Sequence, residues 1–102
     1  MFKKTLIVLA VLLIPATVLA SDHVMMASGS SGWTYGEENA ITFARGDAHK
    51  EGRSLCSRLG GYPVSGSWED PATWFCGHRA DPYGVIRSNC SGTVTFRCRV
   101  RD

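Results

Sequence analysis

The sequence has no uninterrupted apolar run that approaches the roughly 20 residues of a membrane-spanning helix. Its first apolar run, residues 6–14, follows Lys3 and Lys4 and is broken by Pro15. A basic start, a short apolar stretch and small residues before position 21 are typical of a secretory signal peptide. We therefore expect residues 1–20 to be removed on export, leaving residues 21–102 as a single small domain without membrane attachment.

The exported part also lacks an excess of charge of either sign. Two of the eleven Lys and Arg residues belong to the predicted signal peptide, which leaves nine basic and nine acidic residues. A neutral domain gives no electrostatic reason to bind nucleic acid or an anionic membrane surface. Eight of the nine basic residues are Arg, a side chain suited to planar, bidentate contacts with carboxylates. Recognition of a protein surface therefore stays open.

Motifs of the common hydrolases and nucleotide-binding sites are missing as well. The sequence contains no G-x-S-x-G, H-E-x-x-H, phosphate-binding or dinucleotide-binding pattern. Its four cysteines are separated by nineteen, thirteen and seven residues, whereas zinc ligands usually include a close C-x-x-C pair. We expect no metal site, no cofactor and no catalytic thiol.

The cysteines instead predict two disulfides, because an even number in an oxidising compartment is normally paired. A chain this short builds little core, so each disulfide, at about 3 kcal/mol, would contribute much of the stability. Three pairings are compatible with the sequence. We favour Cys56–Cys98, since Cys56 lies on the apolar stripe of a predicted helix and Cys98 on the buried face of a predicted strand. Cys76–Cys90 then closes a hairpin.

The apolar pattern predicts one helix and an antiparallel sheet. Small and apolar residues between positions 40 and 59 fall within one helical stripe, and residues 34–37 have the spacing of a capping box. Residues 93–100 alternate apolar and polar, as in a strand with one buried face. With shorter extended segments before and after the helix, the sequence predicts a single α+β domain, one helix on an antiparallel sheet in the order βαβββ. A rival interpretation makes residues 41–45 a strand, followed by a shorter helix from Asp47.

Aromatic residues are concentrated in the second half of the chain, where Trp and Tyr supply large contact areas at low entropic cost. Loop 61–75 lies between two cysteines and is therefore partly preorganised. We predict that this loop and the hairpin tip at residues 78–84 form a binding surface, with Trp68 as an exposed aromatic residue. The predicted binding residues are Tyr62, Trp68, Asp70, Arg79 and Tyr83.

These features favour an exported, non-catalytic recognition domain of the inhibitor, immunity or adhesion-accessory type, periplasmic or secreted and of bacterial origin. Its partner would be a protein or, second, a glycan stacked on Trp68 or Tyr83. The first alternative is a small secreted hydrolase or toxin, in which His78 acts with His49 or Asp81 and Arg79 supplies a cation. The second alternative is a structural component of the cell envelope.

Overall fold

The computed structural model describes residues 20–101. Residues 1–19, which contain nearly all of the predicted signal peptide, and Asp102 lie outside the described part. The elements comprise one helix, α1, and five strands: β1 (Ala20–Ser30), β2 (Thr34–Tyr35), α1 (Glu37–Arg58), β3 (Gly61–Pro63), β4 (Phe75–Ala80) and β5 (Ile86–Arg101). The prediction of one helix on an antiparallel sheet in the order βαβββ is confirmed. The two-residue β2 is an addition.

The sheet is organised around β5, which is its middle strand. On one side β5 pairs with the full length of β1, from Ala20↔Arg101 to Ser30↔Ser91. Further along the same side it pairs with β2. On the other side it pairs with β3 and β4 and, between them, with Glu69 through a single bridge to Thr95. All pairings are antiparallel. Because each of the other strands pairs only with β5, the described sheet is three strands wide at most.

The length of β5 differs from the prediction. The alternation predicted a strand over residues 93–100, and Asn89, Cys90, Ser91 and Gly92 before it have the composition of a turn. The strand nevertheless runs through residues 89–92 without a break. Both neighbours of β5 pair with it in this region, and Cys90 lies opposite Cys76 in the β4–β5 ladder. These long-range pairings outweigh the local turn preference of Asn, Ser and Gly.

The predicted helix is confirmed as a continuous element over 22 residues, which excludes the rival strand at residues 41–45. The predicted capping box is wrong. Gly36, at φ +81°, is the N-cap and no side chain caps the helix. Thr34 cannot serve as the cap because it is paired with Ser88 in the β2–β5 ladder.

Small side chains allow α1 to lie unusually close to the sheet. Every fourth residue from 40 to 56 is buried, and these residues are Ala40, Ala44, Ala48, Gly52 and Cys56. Gly29 of β1 lies against the backbone of α1 at Ala44 and Ala48, where no Cβ would fit. From β5, Val94, Phe96 and Cys98 complete the interface and are at most 1% exposed, as their alternation predicts.

Both disulfides lie in this interface between helix and sheet. Cys56–Cys98 joins α1 to β5, and Cys76–Cys90 joins β4 to β5. This is the pairing favoured from the sequence. The buried residues form two clusters, one around each disulfide, so the two crosslinks lie where the small core is densest.

A matched pair of glycines in α1 tests the close packing. Gly46 has free space around it, whereas a Cβ on Gly52 would lie 2.8 Å from both Phe96 Cε1 and Trp68 Cη2. Both Gly→Ala changes raise helix propensity. We expect Gly46→Ala to stabilise the protein by about 0.5–1 kcal/mol and Gly52→Ala to destabilise it by about 1–3 kcal/mol through overpacking. Urea unfolding followed by Trp fluorescence measures both, and equal effects of the same sign would contradict the proposed packing.

Removing each disulfide separately tests how the crosslinks share the stability. The crosslinked residues are 42 positions apart in Cys56–Cys98 and 14 apart in Cys76–Cys90. Loop-closure entropy then predicts losses of about 4 kcal/mol for Cys56→Ala with Cys98→Ala and about 3 kcal/mol for Cys76→Ala with Cys90→Ala. Chemical unfolding of the two double variants gives the comparison. A larger loss for the shorter loop would show that packing, rather than chain entropy, dominates.

Candidate functional site

Trp68 is partly buried and packs against the core. Its ring is stacked between His49 of α1 at 4.1 Å and Phe96 of β5 at 4.2 Å, centroid to centroid. The prediction that Trp68 is an exposed aromatic residue is therefore wrong. The reason is that the loop is held along β5 on both sides of Trp68, by a hydrogen bond from Val64 N–H to the Arg97 carbonyl and by the Glu69–Thr95 bridge.

Two further side chains of loop 61–75, Asp70 and Trp74, also contact the helix or the sheet. Asp70 accepts hydrogen bonds from Arg45 of α1, the shortest at 2.8 Å, so its carboxylate is already paired. Trp74 packs over Gly92 of β5, where an added Cβ would lie 2.5 Å from the ring. Its neighbour Phe75 points the other way and is 74% exposed, because adjacent residues in an extended segment face opposite sides of the sheet.

His49 lies on the side of α1 that faces Trp68. It stacks on Trp68, and its Nε2 is buried without a hydrogen-bond partner among the described residues. Burial and the nearby Arg53 lower the pKa of this histidine, only partly offset by Asp70. The lowered pKa favours the neutral imidazole, which packs against the Trp68 ring.

The residues of the predicted hydrolase site do not meet. His78 Nδ1 is 2.8 Å from Ser88 Oγ, and Ser88 is eight positions along β5 from Phe96, beneath which the His49–Trp68 stack lies. At roughly 3.4 Å per residue, Ser88 and Phe96 are about 27 Å apart along β5, so the two histidines contact distant parts of the sheet. Asp81 instead caps the turn by accepting hydrogen bonds from the N–H groups of Tyr83 and Val85. Those bonds, with Arg87 nearby, lower its pKa.

Within residues 20–101, the second face of the sheet is not covered by any helix or loop layer, and we call it the open face. The side chains that alternate with the buried ones point there. Large apolar side chains remain exposed on it, with Val24 at 77%, Met26 at 64% and Phe75 at 74%. Tyr62, which pairs with Arg99 in the ladder, is also on this face and is 48% exposed.

Two arginines and two aromatic residues form a cluster at the hairpin end of the open face. Arg79 and Arg87 are directly opposite each other in the β4–β5 ladder. The Arg79 guanidinium lies over the Trp33 ring at 4.2 Å, and that of Arg87 lies over Tyr35 at 4.3 Å. Arg87 also donates a hydrogen bond to the Tyr35 hydroxyl at 2.6 Å. We call these four residues the arginine–aromatic cluster.

A β-bulge places Trp33 in the cluster. Between the pairs Ser30↔Ser91 and Thr34↔Ser88, three residues on one side face two on the other, and such an extra residue redirects the neighbouring side chains. Gly32 supplies the positive φ of +68°. The Trp33 ring then extends across β5 to Gly77 of β4. A Cβ on Gly77 would lie 3.8 Å from Trp33 Cη2, which is an ordinary van der Waals contact.

The sequence reasoning missed Trp33 and Tyr35. Their separation by one residue was the available signal, because residues i and i+2 lie on the same face of a strand. The capping-box spacing of residues 34–37 instead predicted the start of the helix there. Of the predicted binding residues, the structure places Arg79 in the cluster, Tyr62 at the far end of the open face and Tyr83 at the hairpin tip. Tyr83 is 91% exposed.

A groove of about 460 Å³ lies between Trp33 and Phe75 on the open face. Ser30, Asn89 and Ser91 contribute hydrogen-bonding groups to its lining. A second hollow, of about 320 Å³, is bordered by Arg79, Asp81, Pro82 and Arg87 at the edge of the hairpin. Both concavities adjoin the arginine–aromatic cluster, so this end of the open face combines apolar area, hydrogen-bonding groups and positive charge.

Among the described residues, no three His, Cys, Asp or Glu side chains come together as a metal site. No helix in residues 20–101 is long and apolar enough to cross a membrane. No protein-family model, curated protein sequence or solved structure matches the chain. The candidate site is therefore defined by its own geometry alone.

The pH dependence of stability tests the buried His49. Its pKa is lower in the folded protein than the ordinary histidine value of 6.5, so the unfolded chain takes up the proton first as the pH falls. The stability that neutral His49 provides is complete above about pH 6.5 and is lost as the pH falls through the folded pKa. We expect the melting temperature of the wild type to drop more between about pH 7.5 and pH 5 than that of His49→Gln, which cannot titrate. Parallel pH profiles would show that His49 is already solvated.

Proposed function

We propose that this protein is an exported, non-catalytic recognition domain that binds a protein partner through its open face, centred on the arginine–aromatic cluster. The observation that carries the proposal is the uncovered sheet face, on which Trp33, Tyr35 and Phe75 lie beside Arg79 and Arg87. Trp, Tyr and Arg are the residue types that dominate binding energy at protein interfaces. Their rigid placement on strands lowers the entropy lost on binding.

Stacking preorganises the charged members of this surface. An arginine side chain normally loses considerable rotamer freedom when it binds. Here Arg79 and Arg87 are already held against aromatic rings, and the Cys76–Cys90 disulfide crosslinks the two strands that carry them. A partner therefore meets side chains that need little further ordering.

A protein partner is favoured over a glycan by the state of the rings. Sugars bind proteins by stacking on a free aromatic face. In the arginine–aromatic cluster, Arg79 lies over the ring of Trp33 and Arg87 over that of Tyr35, and the exposed Tyr83 ring is outside the cluster, at the hairpin tip. The face also extends well beyond the cluster, since Val24 and Met26 remain exposed further along β1. A broad surface that mixes apolar and charged groups fits a protein better than a single sugar ring.

Export is part of the proposal. It is supported by the two disulfides, which persist in oxidising compartments, and by the signal-peptide pattern of residues 1–20. The hydrolase alternative gains no support from the structure, because His78 is not brought together with His49 or Asp81.

Comparative capture with matched variants tests the proposed interface. The disulfide-bonded protein is immobilised, and proteins retained from the periplasm and medium of the source organism are quantified by mass spectrometry. We expect one or a few proteins to be retained by the wild type and lost with Phe75→Ala or Trp33→Ala, because each change removes an exposed or cluster-forming aromatic group. The affinity of the identified protein, measured by calorimetry, should fall by about tenfold or more.

Phe43→Ala is the matched control. Phe43 is 57% exposed but lies on α1, on the opposite side of the molecule from the open face. Its removal should leave capture unchanged, and unchanged melting temperatures of all three variants should exclude unfolding. If Phe43→Ala reduces capture as much as Phe75→Ala does, the open face is not the interface.

A further inference from the structure

The cluster contains one positive charge that the described residues do not neutralise. Arg87 is within 3.5 Å of the Asp81 carboxylate and donates to the Tyr35 hydroxyl. Arg79 has a ring beneath it but no carboxylate within ion-pair distance and no side-chain hydrogen bond among residues 20–101. Its guanidinium therefore keeps its planar set of N–H donors available at the surface.

The two arginines are also placed unfavourably with respect to each other. Like charges directly opposite each other across a β-ladder are destabilising, and Arg79 and Arg87 form such a pair. Asp81 offsets only one of the two charges. The pair borders the hollow of about 320 Å³ at the hairpin edge, so an anion entering this hollow would meet both guanidinium groups.

We propose that this hollow is a carboxylate-binding site, in which Arg79 holds an Asp or Glu side chain, or a terminal carboxylate, of the protein partner by a bidentate contact. The inference rests on the proposed function and names the chemistry of the contact. Two guanidinium groups and one carboxylate leave a net charge of +1, which matches a singly charged carboxylate better than a doubly charged phosphate. The planar Arg donor set matches the two oxygens of a carboxylate.

Trp33 has the role of a positioning residue in this site. Its ring lies 4.2 Å from the Arg79 guanidinium carbon and thereby restricts the positions that the guanidinium can take. Lysine at the same place would keep the charge but lose both the stacking and the bidentate geometry. A difference in affinity between arginine and lysine at position 79 would therefore distinguish a site with defined hydrogen-bond geometry from simple Coulombic attraction.

The site can be tested without knowing the partner. N-acetylglutamate is titrated into the disulfide-bonded protein, and the N–H signals of Arg79 Nε and Trp33 Nε1 are followed by two-dimensional NMR, with neutral N-acetylglutamine as the matched ligand. We expect both signals to shift with N-acetylglutamate and not with N-acetylglutamine. Arg79→Gln should weaken binding by about ten- to a hundredfold, and Arg79→Lys should also weaken it.

The control variant is Arg53→Gln, which changes an exposed side chain on α1 and should bind like the wild type. Inorganic phosphate is the competing probe. Absence of shifts at Arg79, unchanged binding in Arg79→Gln, or full binding in Arg79→Lys would each overturn the proposed site. Tighter binding of phosphate than of N-acetylglutamate would also overturn it, because the pocket would then select a different oxyanion.

The outcome separates this inference from the proposed function. If Phe75→Ala abolishes partner capture but Arg79→Gln does not, the open face is the interface and the carboxylate site is wrong. If N-acetylglutamate binds at Arg79 but no open-face variant affects partner capture, the site exists and the proposed interface is wrong.

Discussion

The structure depends on how closely α1 lies against the sheet. Ala40, Ala44, Ala48 and Gly52 present almost no side-chain bulk, and Gly29 receives the helix backbone from the other side. The Cys56–Cys98 disulfide fixes this approach covalently at one end of the interface. Such close contact leaves little volume between the layers, so the core contains few large side chains. The single helix of the described residues covers one face of the sheet and leaves the other face open.

The arrangement of the aromatic residues follows from this thin core. Small residues on α1 leave space along its side, and Trp68 and Trp74 from loop 61–75 fill it by packing on Phe96 and over Gly92. The loop is therefore used for stability. Aromatic residues that remain exposed are those on the opposite face of the sheet, where no second layer exists, and the binding surface is displaced from the loop to the strands.

Much of the fold was predictable because its signals are local or covalent. The alternation of Val94, Phe96 and Cys98 identified the buried face of β5, and the stripe from position 40 to 56 identified α1 and placed Cys56 opposite Cys98. Local signals failed where distant strands compete with them. Asn89–Gly92 resembles a turn but is paired on both sides, and Thr34 resembles a helix cap but is paired with Ser88.

The candidate site was predictable only in part. Arg79, Tyr62 and Tyr83 were identified from their positions in or beside a strand and a turn, and all three keep exposed surface. Trp33 and Tyr35 were missed, because nothing in their sequence neighbourhood indicates that they lie beside Arg79 and Arg87. Trp68 was misassigned because its polar neighbours, Glu69 and Asp70, suggest an exposed loop, whereas their backbone bridge and ion pair hold the ring inward.

Three properties could be predicted from the amino-acid sequence: the periodicity of the helix and the last strand, the neutral charge of residues 21–102 and the cysteines available for crosslinking. Each depends on composition or on residues close in the chain. Tertiary structure alone decided which aromatic side chains face outward. That choice depends on the pairing of β1, β2 and β4 with β5 and on a one-residue bulge before Thr34. A single shift in the alternation of a strand reverses the face to which its side chains point, and the bulge sets where Trp33 falls in that alternation.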